Sequence, residues 1–224
     1  KETLVQFNMK KNLKKRIYTS IALISLLTLS FFNNYVLSYV LLIFGIFSVL
    51  EFSKIILIIL KKNYAKQLII NLSFAIYIFT FCSLFFIFSN YIHLKILIFV
   101  VLLTSIFSDI GGFVIGKIFK GVKLTKISPK KTVSGALGSV FFSSVFIFFI
   151  IFFLTNNFDF LMLLVGVSIS ISSQIGDLFF SYIKRKSYLK DTGNYLPGHG
   201  GILDRVDGIL LGVPVGFLTI LIFY

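Results

Sequence analysis

The chain has 224 residues, 57% of them hydrophobic, and 22 Lys and Arg set against 8 Asp and Glu give a formal net charge of +14. Apolar stretches this long and this frequent exclude a soluble globular domain, and the alternating ten-residue pattern of a membrane barrel does not occur. The single cysteine, Cys82, excludes an intramolecular disulfide, and its apolar neighbours suit an inert thiol.

Taken in chain order, runs of roughly 20 apolar residues predict an all-α, polytopic membrane protein with about seven spans, the uncertain edges allowing between about six and nine. They fall near 17–32, 35–52, 67–88, 93–116, 133–154, 160–183 and 206–223. No small-residue cleavage site follows the first run, so it reads as a retained helix and not as a signal peptide. The stretch 52–66, with Lys54, Lys61 and Lys62 among Ile and Leu, either extends the second span or lies along the interface. Residues 1 to about 100 hold no chemical motif and read as scaffold. The remainder, 101–224, reads as the catalytic part of a single membrane domain.

Segments 1–16, 53–66, 117–132 and 184–205 hold 21 of the 22 Lys and Arg residues, and Lys95 is the exception. The opposite connections hold none. By the positive-inside rule the amino terminus and every basic segment are cytoplasmic. The charge is therefore a topology signal, with a second role in attracting anionic headgroups, and it is not the footprint of a nucleic-acid binder.

Polar islands interrupt this pattern at four places. Asp109 lies within the fourth span, where a carboxylate is costly and by default functional. Beside it, Gly112 and Gly116 share a helix face and suit close packing. In the following loop most lysines suit topology, whereas Pro129 stiffens the turn, and Lys130, Lys131 and Thr132 directly precede a helix and could receive phosphate. On the sixth span Ser173, Asp177, Ser181 and Lys184 are spaced 4, 4 and 3, which puts them on one face. That face suits a proton relay, a divalent-cation ligand or a helix-packing hydrogen bond.

The densest island is 181–207, which holds three of the eight acidic residues. Gly198, Gly200 and Gly201 give its loop unusual dihedrals and access to phosphate oxygens. His199 suits either a phosphate hydrogen bond or a structural turn. Asp204 and Asp207 are three apart and are expected on one face at the start of the last helix. Carboxylates without a thiol or a second nearby imidazole favour Mg²⁺ over Zn²⁺. Gly208, Gly212 and Gly216 continue as a packing stripe. Carboxylates, cations and glycine loops gathered at one membrane face suggest phosphoryl or nucleotidyl transfer to a lipid.

The pattern Ser181-x-Ile183-Lys184-Arg185, Lys190-Asp191-x-Gly193 and Leu196-Pro197-x-His199-Gly200-Gly201-Ile202-x-Asp204-Arg205-Val206-Asp207 resembles the signature of the phosphatidate cytidylyltransferase (CDP-diacylglycerol synthase) family. Asp109-x-Gly111-Gly112, Ile127 to Thr132 and Gln174-x-Gly176-Asp177-Leu178 resemble that family's other segments, so the resemblance covers about residues 100 to 224.

The resemblance implies that CTP and phosphatidic acid give CDP-diacylglycerol and pyrophosphate. It implies Mg²⁺, with a second cation open, on Asp177 and Asp204 and on Asp207 or Asp109. Asp177, Asp204, Lys184 and Arg205 become the catalytic candidates. Ser181, Arg185, Lys190, Asp191, His199, Gly200, Gly201, Lys130, Lys131 and Thr132 become the substrate-binding ones. The attacking phosphate is already anionic, so no strong general base is needed. The expected setting is a bacterial-type inner membrane with the site facing the cytoplasm. CTP, phosphatidic acid and the bilayer are the partners, a homodimer is an open option, and no nucleic acid is expected.

Two rival classes exist. Another CTP-dependent lipid enzyme, such as a polyprenol or phytol kinase or an archaeol cytidylyltransferase, would share much of the chemistry. An anion or proton transporter is disfavoured because the charged residues cluster at one membrane face and trace no path across. A silent scaffold is disfavoured by the complete polar set.

Overall fold

Uninterrupted Leu, Ile and Phe leave the backbone no partner but itself in an apolar solvent, so helices are the expected answer. The computed structural model describes residues 2–125, 127–129, 131–193, 195–198 and 200–223, with residues 2–13 as backbone alone. Lys1, Lys126, Lys130, Asn194, His199 and Tyr224 lie outside the described residues. The helices are α1 (Glu2–Phe32), α2 (Asn34–Ile59), α3 (Tyr64–Ser89), α4 (Ile92–Phe119), α5 (Val133–Thr155), α6 (Leu161–Lys186), α7 (Leu203–Val206) and α8 (Ile209–Phe223). Among the described residues seven stretches are long and apolar enough to cross a membrane: Lys14–Phe32, then α2 to α6, then Leu203–Phe223. Among the described residues the only extended pairing is two isolated bridges, Lys123 with Thr132 and Leu196 with Gly200.

The second span runs on to Ile59, which decides the ambiguous stretch in favour of extension as far as that residue. Asn63 then caps α3, its side chain accepting the Lys66 N–H at 3.1 Å. Asn33 does the same for α2, accepting from Tyr35 and Val36, so one residue separates α1 from α2. Such caps contribute about 1 kcal/mol each.

The chain divides into two compact units, Lys1–Asn90 with Lys186–Arg205, and Tyr91–Arg185 with Val206–Tyr224. The segment 186–205 packs with the amino-terminal helices.

In the first unit α2 and α3 are joined by stacked Phe52 and Phe74 at 3.9 Å and by Phe44 on Phe81. Asn34 reaches from the α1–α2 turn to the end of α3, donating to the Ser89 carbonyl and the Asn90 side chain.

In the second unit α4 lies close against α5. A Cβ at Gly116 would stand 3.0 Å from Thr132 Oγ1, and one at Gly135 would stand 2.8 Å from the Gly112 carbonyl. The packing role read for Gly112 and Gly116 is what these helices use. Phe107 stacks on Phe146 at 4.0 Å along the same interface. The lysine-rich loop folds as a short hairpin, with Leu124 N–H on the Lys131 carbonyl at 2.8 Å and Val133 N–H on the Val122 carbonyl at 2.9 Å. Thr132 ends the hairpin and caps α5, its Oγ1 accepting the Gly135 N–H at 3.1 Å.

Candidate active site

Within the second unit, the 4 and 3 spacing of Asp177, Ser181 and Lys184 on α6 delivers these side chains to one polar face. Ser181 donates to Asp177 Oδ1 at 3.2 Å, and Lys131, from the end of the hairpin, pairs with Asp177 Oδ2. Lys184 stands 3.6 Å from Asp207 Oδ2, the two side chains only 10% and 13% exposed. Asp207 also accepts the Gly208 N–H on Oδ1 at 3.0 Å. Asp109, exposed on α4, lies within electrostatic reach of Asp177, Asp207 and Lys131. Three carboxylates and two ammonium groups therefore gather in this unit.

The neighbouring hydroxyls hold the helices and do not line the cluster. Ser105 donates to Ser173 at 3.1 Å and Ser108 meets Ser170 at 2.8 Å, all four buried. For Ser173 the packing alternative is therefore the one observed. Close approach of backbones completes the frame. A Cβ on Gly176 would fall 2.5 Å from the Asp207 carbonyl oxygen, and one on Gly208 would fall 2.5 Å from Ser173 Oγ. Gly212 and Gly216 continue that contact against Ser105 and Ile169.

Within the first unit, the signature loop is organised around two carboxylates. Asp204 Oδ2 accepts the N–H groups of Thr192 at 2.8 Å and Gly201 at 3.0 Å. Glu51, buried in α2, accepts the Thr192 hydroxyl at 2.6 Å and the N–H groups of Ile202 at 3.0 Å and Leu203 at 2.8 Å. The Leu196-to-Gly200 turn is closed by the Leu196 N–H on the Gly200 carbonyl at 2.9 Å, with Gly198 and Gly200 at φ of 79° and 86°. These are left-handed conformations that glycine adopts without strain. Arg16 holds the turn through its Nε on the Gly198 carbonyl at 3.0 Å. Lys54 donates to the Tyr195 hydroxyl at 3.0 Å, and the Tyr195 ring meets Phe47 edge-on at 4.6 Å.

The two clusters account for most predicted residues. Asp109, Lys131, Asp177, Ser181, Lys184 and Asp207 come together in the second unit, and Arg185 is exposed at the end of α6. Asp204, Gly200 and Gly201 belong to the loop in the first unit, while Lys190, Asp191 and Arg205 are exposed on it. Lys130 and His199 are outside the described residues. One expectation is corrected: Asp204 and Asp207 do not share a helix face. Helix α7 stops at Val206, and Asp207 and Gly208 form a turn before α8, held by the contact of Gly208 with Ser173. Sequence reasoning also missed Glu51, Thr192 and the Arg16 and Lys54 contacts. For Glu51 a signal existed, since one of only eight acidic residues sits inside an apolar run.

Comparison with known proteins agrees with this chemistry. Residues 1–223 match the model of the cytidylyltransferase family. The chain is 35% identical over 218 residues to the phosphatidate cytidylyltransferase of Rickettsia prowazekii, covering 93% of this chain and 92% of that one. It is 41% identical over 121 residues to the enzyme of that name from Rickettsia bellii, and 42% over 118 residues to the one from Helicobacter pylori strain 26695. Those two alignments span about half of this chain and 51% and 42% of the relatives.

Proposed function

Because the chain belongs to the cytidylyltransferase family, we propose that it transfers the cytidylyl group of CTP to phosphatidic acid, forming CDP-diacylglycerol and pyrophosphate. A phosphatidate oxygen attacks the α-phosphorus, the bond from that phosphorus to the bridging oxygen breaks, and pyrophosphate leaves with the electron pair. The observation that carries the reading is the gathering of Asp109, Asp177 and Asp207 with Lys131 and Lys184 in an otherwise apolar unit.

Two polyanions must meet for this reaction, so repulsion is the first barrier. Lys131 and Lys184 are cations placed to offset it, with Arg185, Lys190 and Arg205 as further candidates from the signature. Ser181 and Lys131 fix the orientation of the Asp177 carboxylate, so little reorganisation is left for the reaction itself. The nucleophile is already ionised, so no side chain has to take its proton.

The donor set fits Mg²⁺, since Asp109, Asp177 and Asp207 offer only hard oxygens. Among the described residues no three His, Cys, Asp or Glu side chains form a ready cage, and the lysines engage two of the carboxylates instead. Bound Mg²⁺, with or without a second cation, would supply charge neutralisation on the triphosphate and leaving pyrophosphate. Asp204 as a further ligand, and Gly200, Gly201, Asp191, Thr132, Lys130 and His199 as substrate contacts, rest on the signature.

The basic connections support an orientation with these residues facing the cytoplasm of a bacterial-type inner membrane. Solubilised protein given CTP, phosphatidic acid and Mg²⁺ is expected to release pyrophosphate. Release of CDP would instead identify a lipid kinase.

A further inference from the structure

We propose that Glu51 is a positioning residue for this reaction: from the interior of α2 it fixes the 191–205 loop in the shape that presents Asp204 and Arg205. The inference rests on the cytidylyltransfer reading and adds to it a residue outside the signature.

Glu51 is 0% exposed and lies within a membrane-spanning helix, where an unpaired carboxyl is expensive. The signature loop satisfies it. One hydroxyl and two backbone N–H groups, from Thr192, Ile202 and Leu203, converge on its two oxygens at 2.6 to 3.0 Å. Charge-assisted bonds of this kind are short and directional, so they fix both ends of the loop at once. Leu203, itself fully buried, is the first residue of α7, so the anchor also sets where that helix begins.

The glycines of the signature take on a second meaning here. A Cβ on Gly193 would stand 2.5 Å from Glu51 Oε1, and one on Gly201 would stand 2.5 Å from Oε2. At these positions glycine makes room for the carboxylate of α2. Thr192 then couples the anchor to Asp204. Its hydroxyl goes to Glu51, while its N–H goes to Asp204 Oδ2 at 2.8 Å. Gly201, packed against Glu51, sends its N–H to the same Asp204 oxygen at 3.0 Å. Any shift of the anchor is therefore passed directly to Asp204. The outer contacts, Arg16 on Gly198 and Lys54 on Tyr195, are exposed and hold the loop less firmly.

The test compares Glu51→Gln, Thr192→Val, Thr192→Ser and the Glu51→Gln/Thr192→Val pair in the full-length protein in detergent. Ser48→Ala serves as control; it removes a fully buried hydroxyl on α2 that has no hydrogen-bond partner among the described residues. Glu51→Gln keeps the size but sets an amide N–H₂ against backbone donors. It is expected to lower CDP-diacylglycerol turnover about 100-fold, the scale of a small misplacement of a catalytic group. Yield should stay near that of the wild type, and the loss of turnover should exceed what any fall in unfolding temperature explains. Thr192→Val should lose activity, Thr192→Ser should regain it, and the pair should be no worse than Glu51→Gln alone. Ser48→Ala should match the wild type.

Near-normal turnover by Glu51→Gln would overturn the proposal. So would activity losses that merely follow loss of thermal stability across the set. If the wild type itself makes no CDP-diacylglycerol, the reaction reading fails, and the anchor is judged by trypsin cleavage after Lys190. Faster cleavage in Glu51→Gln supports the anchor, and an unchanged rate rejects it.

Discussion

Lys184 and Asp207 face each other at 3.6 Å with their side chains almost out of solvent, so each helps to compensate the other's burial. Breaking such a pair from one side is costlier than removing both partners. Lys184→Met is therefore expected to destabilise the protein by about 3 kcal/mol. Lys184→Met combined with Asp207→Asn should recover most of that loss and still be inactive, as thermal unfolding and turnover in detergent will show. Asp177 is poised differently, between Ser181 and Lys131 and partly exposed. Asp177→Asn should fold normally and lose roughly 100-fold or more in turnover, the usual effect of removing a preorganised charge. Near-normal turnover by that variant would remove Asp177 from the site. Asp177, Lys184 and Asp207 were legible in the sequence because a charge in an apolar chain is conspicuous. The bonds of Glu51 were not, since they reach residues 141 to 152 positions away.

At the scale of elements, long apolar runs made the helices readable, and the observed ends differ from the expected ones mainly where lysines sit near a terminus. The run 52–66 was ambiguous because Lys54 could mark a helix end. It stays helical as far as Ile59, with Ile55 and Ile56 buried on its inner face while the exposed Lys54 side chain turns outward to the Tyr195 hydroxyl, a contact that local sequence does not encode. The break between α7 and α8 was hidden for the same reason. It depends on how closely α6 approaches the 207–208 turn, and the i, i+3 spacing of Asp204 and Asp207 gave no hint of it. That approach is testable through glycine. Gly176→Ala places a methyl 2.5 Å from the Asp207 carbonyl and should cost about 1 to 3 kcal/mol, with a fall in activity as the turn moves. Gly45→Ala, whose new methyl would meet only Ile78 and Cys82 at 3.5 and 3.7 Å, should be neutral in both measurements.

For the whole molecule, charge placement and chemistry point the same way. Two of the lysine-rich connections, 117–132 and 184–205, carry candidate site residues, and the opposite connections hold no Lys or Arg. Trypsin added to inside-out membrane vesicles should cut at Lys61, Lys62 and the 117–131 loop, while the same sites in intact cells with permeabilised outer membranes should survive. Cleavage in the intact cells would reverse the orientation. Chelation of divalent cations should abolish turnover, and added Mg²⁺ should restore it without any change in the amount of folded protein.

The central claim is that this chain moves the cytidylyl group and not a single phosphate. Purified protein in vesicles containing phosphatidic acid can be given CTP labelled at the α-phosphate in one reaction and at the γ-phosphate in another. The account predicts α-label in the lipid fraction as CDP-diacylglycerol and γ-label in pyrophosphate, one for one. Label from the γ-phosphate in the lipid, or no labelled lipid with Mg²⁺ present, would contradict it.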